Sequence, residues 1–90
     1  MDLNKVKQLR ELLNEHHNWP DVFIFKFIYQ SDSDAEERLK SFFPEKAEFT
    51  VKSSTKNKFS SMTVKHVCKD SEEVFDIYQK ASTIDGVISL

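Results

Sequence analysis

Apolar residues recur along this 90-residue chain with two different periods. Between residues 2 and 16, leucine and valine recur every three or four positions, which is the spacing of an amphipathic helix. Residues 22–29 (VFIFKFIY) alternate instead, so the phenylalanines and Tyr29 share one face of a predicted strand. Lys26 lies on the other face, and a lysine is costly to bury without a partner. The pattern therefore predicts that the phenylalanine face belongs to the core.

The same periods predict the rest of the chain. In order they give a helix over 33–43, strands over 47–53 and 59–68 joined as a hairpin, a helix over 71–83, and a short strand over 87–90. Ser33 and Glu36 fit a capping box for the first of these helices, and Asp70 and Glu73 make a similar start for the second.

This order of elements predicts an α+β domain. After the first helix it reads β-α-β-β-α-β, the pattern of ferredoxin-like folds, in which two helices cover one face of an antiparallel sheet. We expect an N-terminal helical extension over residues 1–20 and the ferredoxin-like domain over 21–90.

Several segments resemble the YbeD-like family of bacterial domains of unknown function. The resemblance rests on FIFKFIY in the first strand, on the hairpin SSTKNKFSSMTV, and on DSEEVFDIYQKASTIDGVISL with its Tyr78 and Val87. It extends from about Phe23 to Leu90. The family is similar in architecture to ACT-type regulatory domains, which bind small effectors at subunit interfaces. The resemblance therefore implies a regulatory domain and carries no catalytic signature.

Composition excludes several classes of function. The formal net charge of −2 argues against a whole-domain affinity for nucleic acid or anionic lipid. The single cysteine, Cys68, excludes an internal disulfide and is typical of a reducing compartment. No apolar run approaches the roughly 20 residues of a membrane span, and residues 1–15 lack the apolar centre of a signal peptide. We expect a cytoplasmic protein that does not bind membranes.

The sequence contains no catalytic motif. One glycine excludes a glycine-rich phosphate loop, and no spacing ties the serine, histidine and aspartate residues into a triad. His66 and Cys68 share a face of a predicted strand and would begin a zinc site, but a closed site needs about four ligands. The remaining histidines, His16 and His17, are distant in the chain. We therefore predict no metal, no cofactor and no enzymatic activity.

The outer face of the predicted sheet is a candidate interface, because it mixes apolar and polar side chains. Its residues are Ile24, Lys26, Ile28, Lys52, Thr63, Lys65 and Val67. Ferredoxin-like RNA-binding domains stack bases on aromatic residues of this face, and the strand aromatics here lie on the opposite face, which disfavours nucleic acid. Either a second copy binds there, or the N-terminal helix folds over it through Leu9 and Leu13.

The loop after the first strand is a candidate effector site. It comprises Gln30, Ser31, Asp32, Ser33 and Asp34. Backbone N–H groups at the start of the next helix suit an anionic group, whereas the surrounding acids favour a cationic or zwitterionic ligand. Two hypotheses remain open: a regulatory domain that senses a small effector, and a protein–protein interaction module, as a homodimer or adaptor, with no small ligand.

Overall fold

The computed structural model describes residues 3–54, 56 and 58–90, apart from the side chains of Leu3 and Val6. Its elements are α1 (Leu3–His16), β1 (Asp21–Gln30), α2 (Ala35–Lys40), β2 (Glu48–Ser53), β3 (Phe59–Cys68), α3 (Ser71–Ala81) and β4 (Ile88–Ser89). The strands form one antiparallel sheet in the order β2-β3-β1-β4. The predicted α+β fold with a ferredoxin-like arrangement is confirmed.

The central strand β1 separates the core from the exposed side of the sheet. Phe25 and Phe27 are completely buried, whereas Ile24, which points to the other side, is 55% exposed. β1 pairs with β3 over its whole length, and β3 adds Met62 and Val64 to the buried face. The predicted assignment of the two faces is correct.

The helices α2 and α3 cover only the buried face. Leu39 of α2 and Val74 and Ile77 of α3 pack with the β1 aromatics in one core cluster. The ring of Phe25 lies 5.2 Å from that of Phe43 and 5.3 Å from that of Tyr78. This single helical layer leaves the other face of the sheet open.

The helix α2 is shorter than the predicted range of 33–43. Its N-cap is Asp34, whose side chain makes no capping hydrogen bond, so the predicted Ser33–Glu36 capping box is wrong. The Ser33 hydroxyl instead donates to the Gln30 carbonyl oxygen at 2.7 Å, which fixes a turn before the helix. The Tyr29 hydroxyl donates to the Glu36 carboxylate at 3.4 Å, which directs that carboxylate toward β1.

The start of α3 agrees with its predicted cap. The Asp70 carboxylate accepts a hydrogen bond from the Glu73 N–H at 2.9 Å. The Glu73 carboxylate reaches back and accepts one from the Lys69 N–H at 2.7 Å. Both contacts satisfy N–H groups that have no partner within the helix.

The helix α1 packs beside α3. Arg10 forms an ion pair with Glu72 and lies 5.7 Å above the ring of Phe75, and Leu13 packs against the core. Leu9 remains 48% exposed. The hypothesis that α1 covers the outer face through Leu9 and Leu13 is therefore wrong, because these contacts hold the helix on the opposite side of the sheet.

Replacement of Phe27 by alanine tests the assignment of the core. Removing a fully buried ring should lower the free energy of unfolding by about 3–5 kcal/mol. The control, Ile24→Ala, changes the same strand on its exposed face and should cost less than about 1 kcal/mol. Urea denaturation followed by circular dichroism measures both values. Equal losses would contradict the open outer face.

Replacement of two aspartates, one at the start of α2 and one at the start of α3, tests the capping contacts. Asp70→Ala should lower the free energy of unfolding by about 1 kcal/mol, because it removes the bond to the Glu73 N–H. Asp34→Ala changes the same residue type at the start of α2, where no capping bond exists, and should have almost no effect. Thermal unfolding of both variants provides the measurement, and equal changes would refute the assignment.

Candidate functional site

The outer face is the side of the sheet that the helices leave uncovered. Directly paired residues on neighbouring antiparallel strands point to the same side, so the register defines its members. They are Val22, Ile24, Lys26, Ile28, Glu48, Thr50, Lys52, Ser61, Thr63, Lys65, Val67 and Ile88. Every residue predicted for this face lies on it, apart from Leu9 and Leu13 of α1.

An apolar strip runs through this face. Val22 lies opposite Val67, and Ile28 lies opposite Ile88. Ile24 extends the first pair along β1, Lys26 lies between Ile24 and Ile28, and Val22, Val67 and Ile88 are each about half exposed. Exposed apolar side chains that are grouped, rather than scattered singly, are typical of binding surfaces.

Lysines lie within the strip and beside it. Lys65 lies between Ile24 and Glu48 across the strands, and Lys26 occupies the middle of β1. Lys52 lies at the β2 edge, opposite Ser61. With three lysines and one glutamate, the outer face is positive, whereas the chain as a whole carries −2. The surface therefore differs in the sign of its charge from the rest of the protein.

An open pocket of about 400 Å³ adjoins one end of the strip. It forms because β2 begins at Glu48, opposite Lys65, while β3 continues to Cys68. Its lining includes the apolar side chains of Val22, Ala47 and Val67, together with Lys46, Glu48, Lys65 and His66. The pocket combines an apolar lining with two lysines, which fits a partner side chain more readily than flat sheet does.

Part of this surface was not predicted from the sequence. Val22 and Ile88 belong to the strip, and Lys46 contributes to the pocket. Val22 was predictable from the sequence, because it lies two residues before Ile24 and continues the same alternation. Ile88 and Lys46 were not, because only the sheet order and the starting point of β2 place them here.

The predicted effector loop is held by bonds within the chain. The Ser31 N–H donates to the Lys58 carbonyl at 3.0 Å, and the Ser31 and Ser60 hydroxyls lie 2.7 Å apart. The Ser33 N–H donates to the Gln30 carbonyl at 3.2 Å. These donors are already engaged, and the helix that follows has only six residues. Effector binding at residues 30–34 stays a prediction.

A second cluster lies where β3 meets α3. His66 and Cys68 are buried on the inner face of β3, and Glu73 lies in the first turn of α3. The His66 Nε2 atom is 2.9 Å from a Glu73 carboxylate oxygen. One ligand-type atom from each of the three residues lies within 4.8 Å of the others. The predicted pairing of His66 with Cys68 on one face is confirmed, and the structure adds a third residue to it.

The environment of this cluster shifts the pKa values of its two acidic groups, Cys68 and Glu73, in opposite directions. Burial raises the pKa of the Cys68 thiol to about 12, and the negative charges of Glu73 and Asp70 add to the effect. Burial also acts to raise the pKa of Glu73, but hydrogen bonds from the Lys69 N–H and from His66 outweigh it and lower that pKa. At neutral pH the cluster therefore holds a charged carboxylate beside a neutral thiol.

Among the described residues, no helix is both long enough and apolar enough to cross a membrane.

Comparisons with known proteins identify the family. The solution structure of protein HP0495 from H. pylori has a TM-score of 0.61 to this chain at 28% sequence identity. The similarity covers 82% of this chain and 85% of that one. A search of the curated proteins found no match. Residues 14–90 match the family described as protein of unknown function DUF493. The chain thus belongs to the DUF493 family, which is the YbeD-like family of unknown function that its strand, hairpin and last helix resemble.

Proposed function

We propose that this protein is a non-catalytic binding domain that acts through the outer face of its sheet. Its partner is a protein segment with an apolar stripe flanked by acidic side chains. The observation that carries the proposal is the uncovered apolar strip on β1, β3 and β4, with lysines beside it and an open pocket at one end.

The apolar strip supplies the driving force. Ile24, Val67 and Ile88 are each more than half exposed. Burial of apolar surface contributes about 25 cal/mol per Å² to the free energy of binding. A partner that covers these side chains therefore gains more binding free energy than it would on a polar surface of the same area. The pocket beside Val22 and Val67 provides a place where one apolar side chain of the partner is surrounded on several sides.

The lysines select the charge of the partner. Lys26 lies within the strip and Lys52 and Lys65 lie beside it, and all three are exposed. Complementary charges favour encounter with an acidic segment and disfavour a basic one. They also disfavour a face-to-face homodimer, since two copies would bring their positive faces together.

The side chains of the outer face support the non-catalytic part of the proposal. Lysine, threonine and serine predominate among its polar groups, and neither histidine nor cysteine projects from it. A nucleophile needs an activating base within hydrogen-bond distance, and the described residues of this face form no such pair. The free, buried thiol of Cys68 is compatible with a reducing compartment, and the cytoplasm is the compartment proposed for the domain.

Site-specific photo-crosslinking in cells tests the binding surface. A photoreactive residue at position 24 should form an adduct with another protein, whereas the same residue at position 12 should not. Ile24 and Leu12 are matched in exposure, at 55% and 50%, but Leu12 lies on α1. Adducts of equal yield at both positions would refute the outer face as the binding surface.

Charge reversal tests the chemistry of the partner. Lys26→Glu should reduce the adduct at position 24 by about fivefold, in line with about 1 kcal/mol for a charge at an interface rim. Lys80→Glu is the matched control, because Lys80 is an exposed lysine of α3 that pairs with Asp76 at 3.1 Å. An adduct that Lys26→Glu leaves unchanged would contradict an acidic partner.

Sedimentation equilibrium separates a protein partner from self-association. The purified chain should sediment as a monomer at concentrations below about 10 μM, where a weak surface contact is dissociated. A dimer that Ile24→Asp converts to a monomer would overturn the proposed partner and favour a homodimer through the same face.

A further inference from the structure

We propose that His66, Cys68 and Glu73 form a binding site for Zn²⁺ with three protein ligands and one water molecule. The site lies at the junction of β3 and α3, on the inner side of the sheet. It lies on the opposite side of the sheet from the apolar strip, although His66 also lines the pocket at the end of that strip, and it does not depend on the proposed protein partner.

The donor atoms match the chemistry of zinc. Imidazole nitrogen, thiolate sulfur and carboxylate oxygen are its three common protein ligands. Magnesium and calcium prefer oxygen ligands alone, so the nitrogen and sulfur atoms disfavour both. With three protein ligands, the fourth tetrahedral position remains for water.

The geometry approaches what a tetrahedral ion requires. Bonds of about 2.0–2.3 Å place neighbouring ligand atoms about 3.5 Å apart. The three side chains hold their ligand atoms within 4.8 Å of one another, and His66 Nε2 already lies 2.9 Å from the Glu73 oxygen. Small side-chain rotations are therefore enough to bring the three atoms around one ion.

The backbone prepares this arrangement. His66 and Cys68 are two residues apart on a paired strand, so their side chains point the same way. The Lys69 N–H holds the second Glu73 oxygen at 2.7 Å and orients the carboxylate. Backbone donors of this kind commonly fix metal-binding carboxylates.

An ion can reach the site from solvent. The Glu73 side chain is 26% exposed, and His66 also lines the open pocket near the end of β2. Zn²⁺ takes the place between His66 and Glu73, and the Cys68 thiol releases its proton to solvent as the Zn–S bond forms. Metal affinity at such a site rises with pH, because protons compete for the ligands.

Titration with Co²⁺, followed by displacement with Zn²⁺, tests the site in the full chain. One equivalent of Co²⁺ should produce two spectral features. The first is a thiolate-to-cobalt charge-transfer band in the near ultraviolet, and the second is the set of visible bands that tetrahedral Co²⁺ gives. Zn²⁺ should abolish both. The thiolate band requires Cys68, since the chain has one cysteine. Absence of these bands at neutral pH would overturn the proposal.

Variants separate this site from adventitious binding. Glu73→Gln should weaken Co²⁺ binding by about tenfold or more, whereas Glu72→Gln, which changes the neighbouring exposed glutamate, should not alter it. Cys68→Ser should remove the thiolate band, with circular dichroism confirming that the variant folds. Metal binding that survives both variants but is lost in His16→Gln would refute the site and identify adventitious binding by His16.

Discussion

Burial of the aromatic face of β1 is the constraint on which the structure depends. Phe25, Phe27 and Tyr29 need a covering layer, and α2 and α3 supply it from one side only. A strand that is apolar on both faces would require a second layer. Lys26, in the middle of β1, makes the other face compatible with water, so one strand determines both where the core lies and which surface remains available.

That available surface is not uniformly polar. Ile24, Ile28 and Ile88 lie within it, although the fold needs none of them for its core. Isoleucine has a high strand propensity, which accounts for a single isoleucine on the surface of a sheet. It does not account for the alignment of these isoleucines across β1 and β4. Their alignment beside three lysines is the property that a binding surface for an acidic, partly apolar segment would require.

The inner face departs from apolar character at its two ends. Ser60 and His66 are buried polar residues of β3, and each is satisfied by a residue from another segment: Ser31 for the first, Glu73 for the second. Each pair joins the sheet to the segment that begins a helix. The Ser31–Ser60 pair fixes the loop before α2. The His66–Glu73 pair fixes the start of α3 and places the Cys68 thiol beside a carboxylate.

Alternation of apolar residues was sufficient to predict most of the fold. The range 59–68 for β3 is the observed one, because hydrophobic periodicity in a strand responds directly to burial. The start of α2 was predicted wrongly because Ser33 can form a turn or a cap with the same hydroxyl, and the sequence does not rank the two. The position of α1 was also inaccessible, since a leucine stripe predicts that a helix is buried without indicating against what. The division at residues 20 and 21 stays a prediction.

Glu73, the third member of the His66–Cys68–Glu73 cluster, has a local role as a helix cap and a tertiary role in the contact with His66, and only the local role could be predicted from the sequence. Glu73 was fully explained as a capping residue, and its bond to the Lys69 N–H confirms that role. However, a carboxylate has two oxygens, and the turn at residues 69–70 brings the first turn of α3 over the end of β3. The second oxygen is therefore directed at His66. Three donor atoms come together here because a histidine and a cysteine lie two residues apart on a strand, and a two-residue turn and a capping glutamate follow. A count of histidines and cysteines alone could not reveal this arrangement.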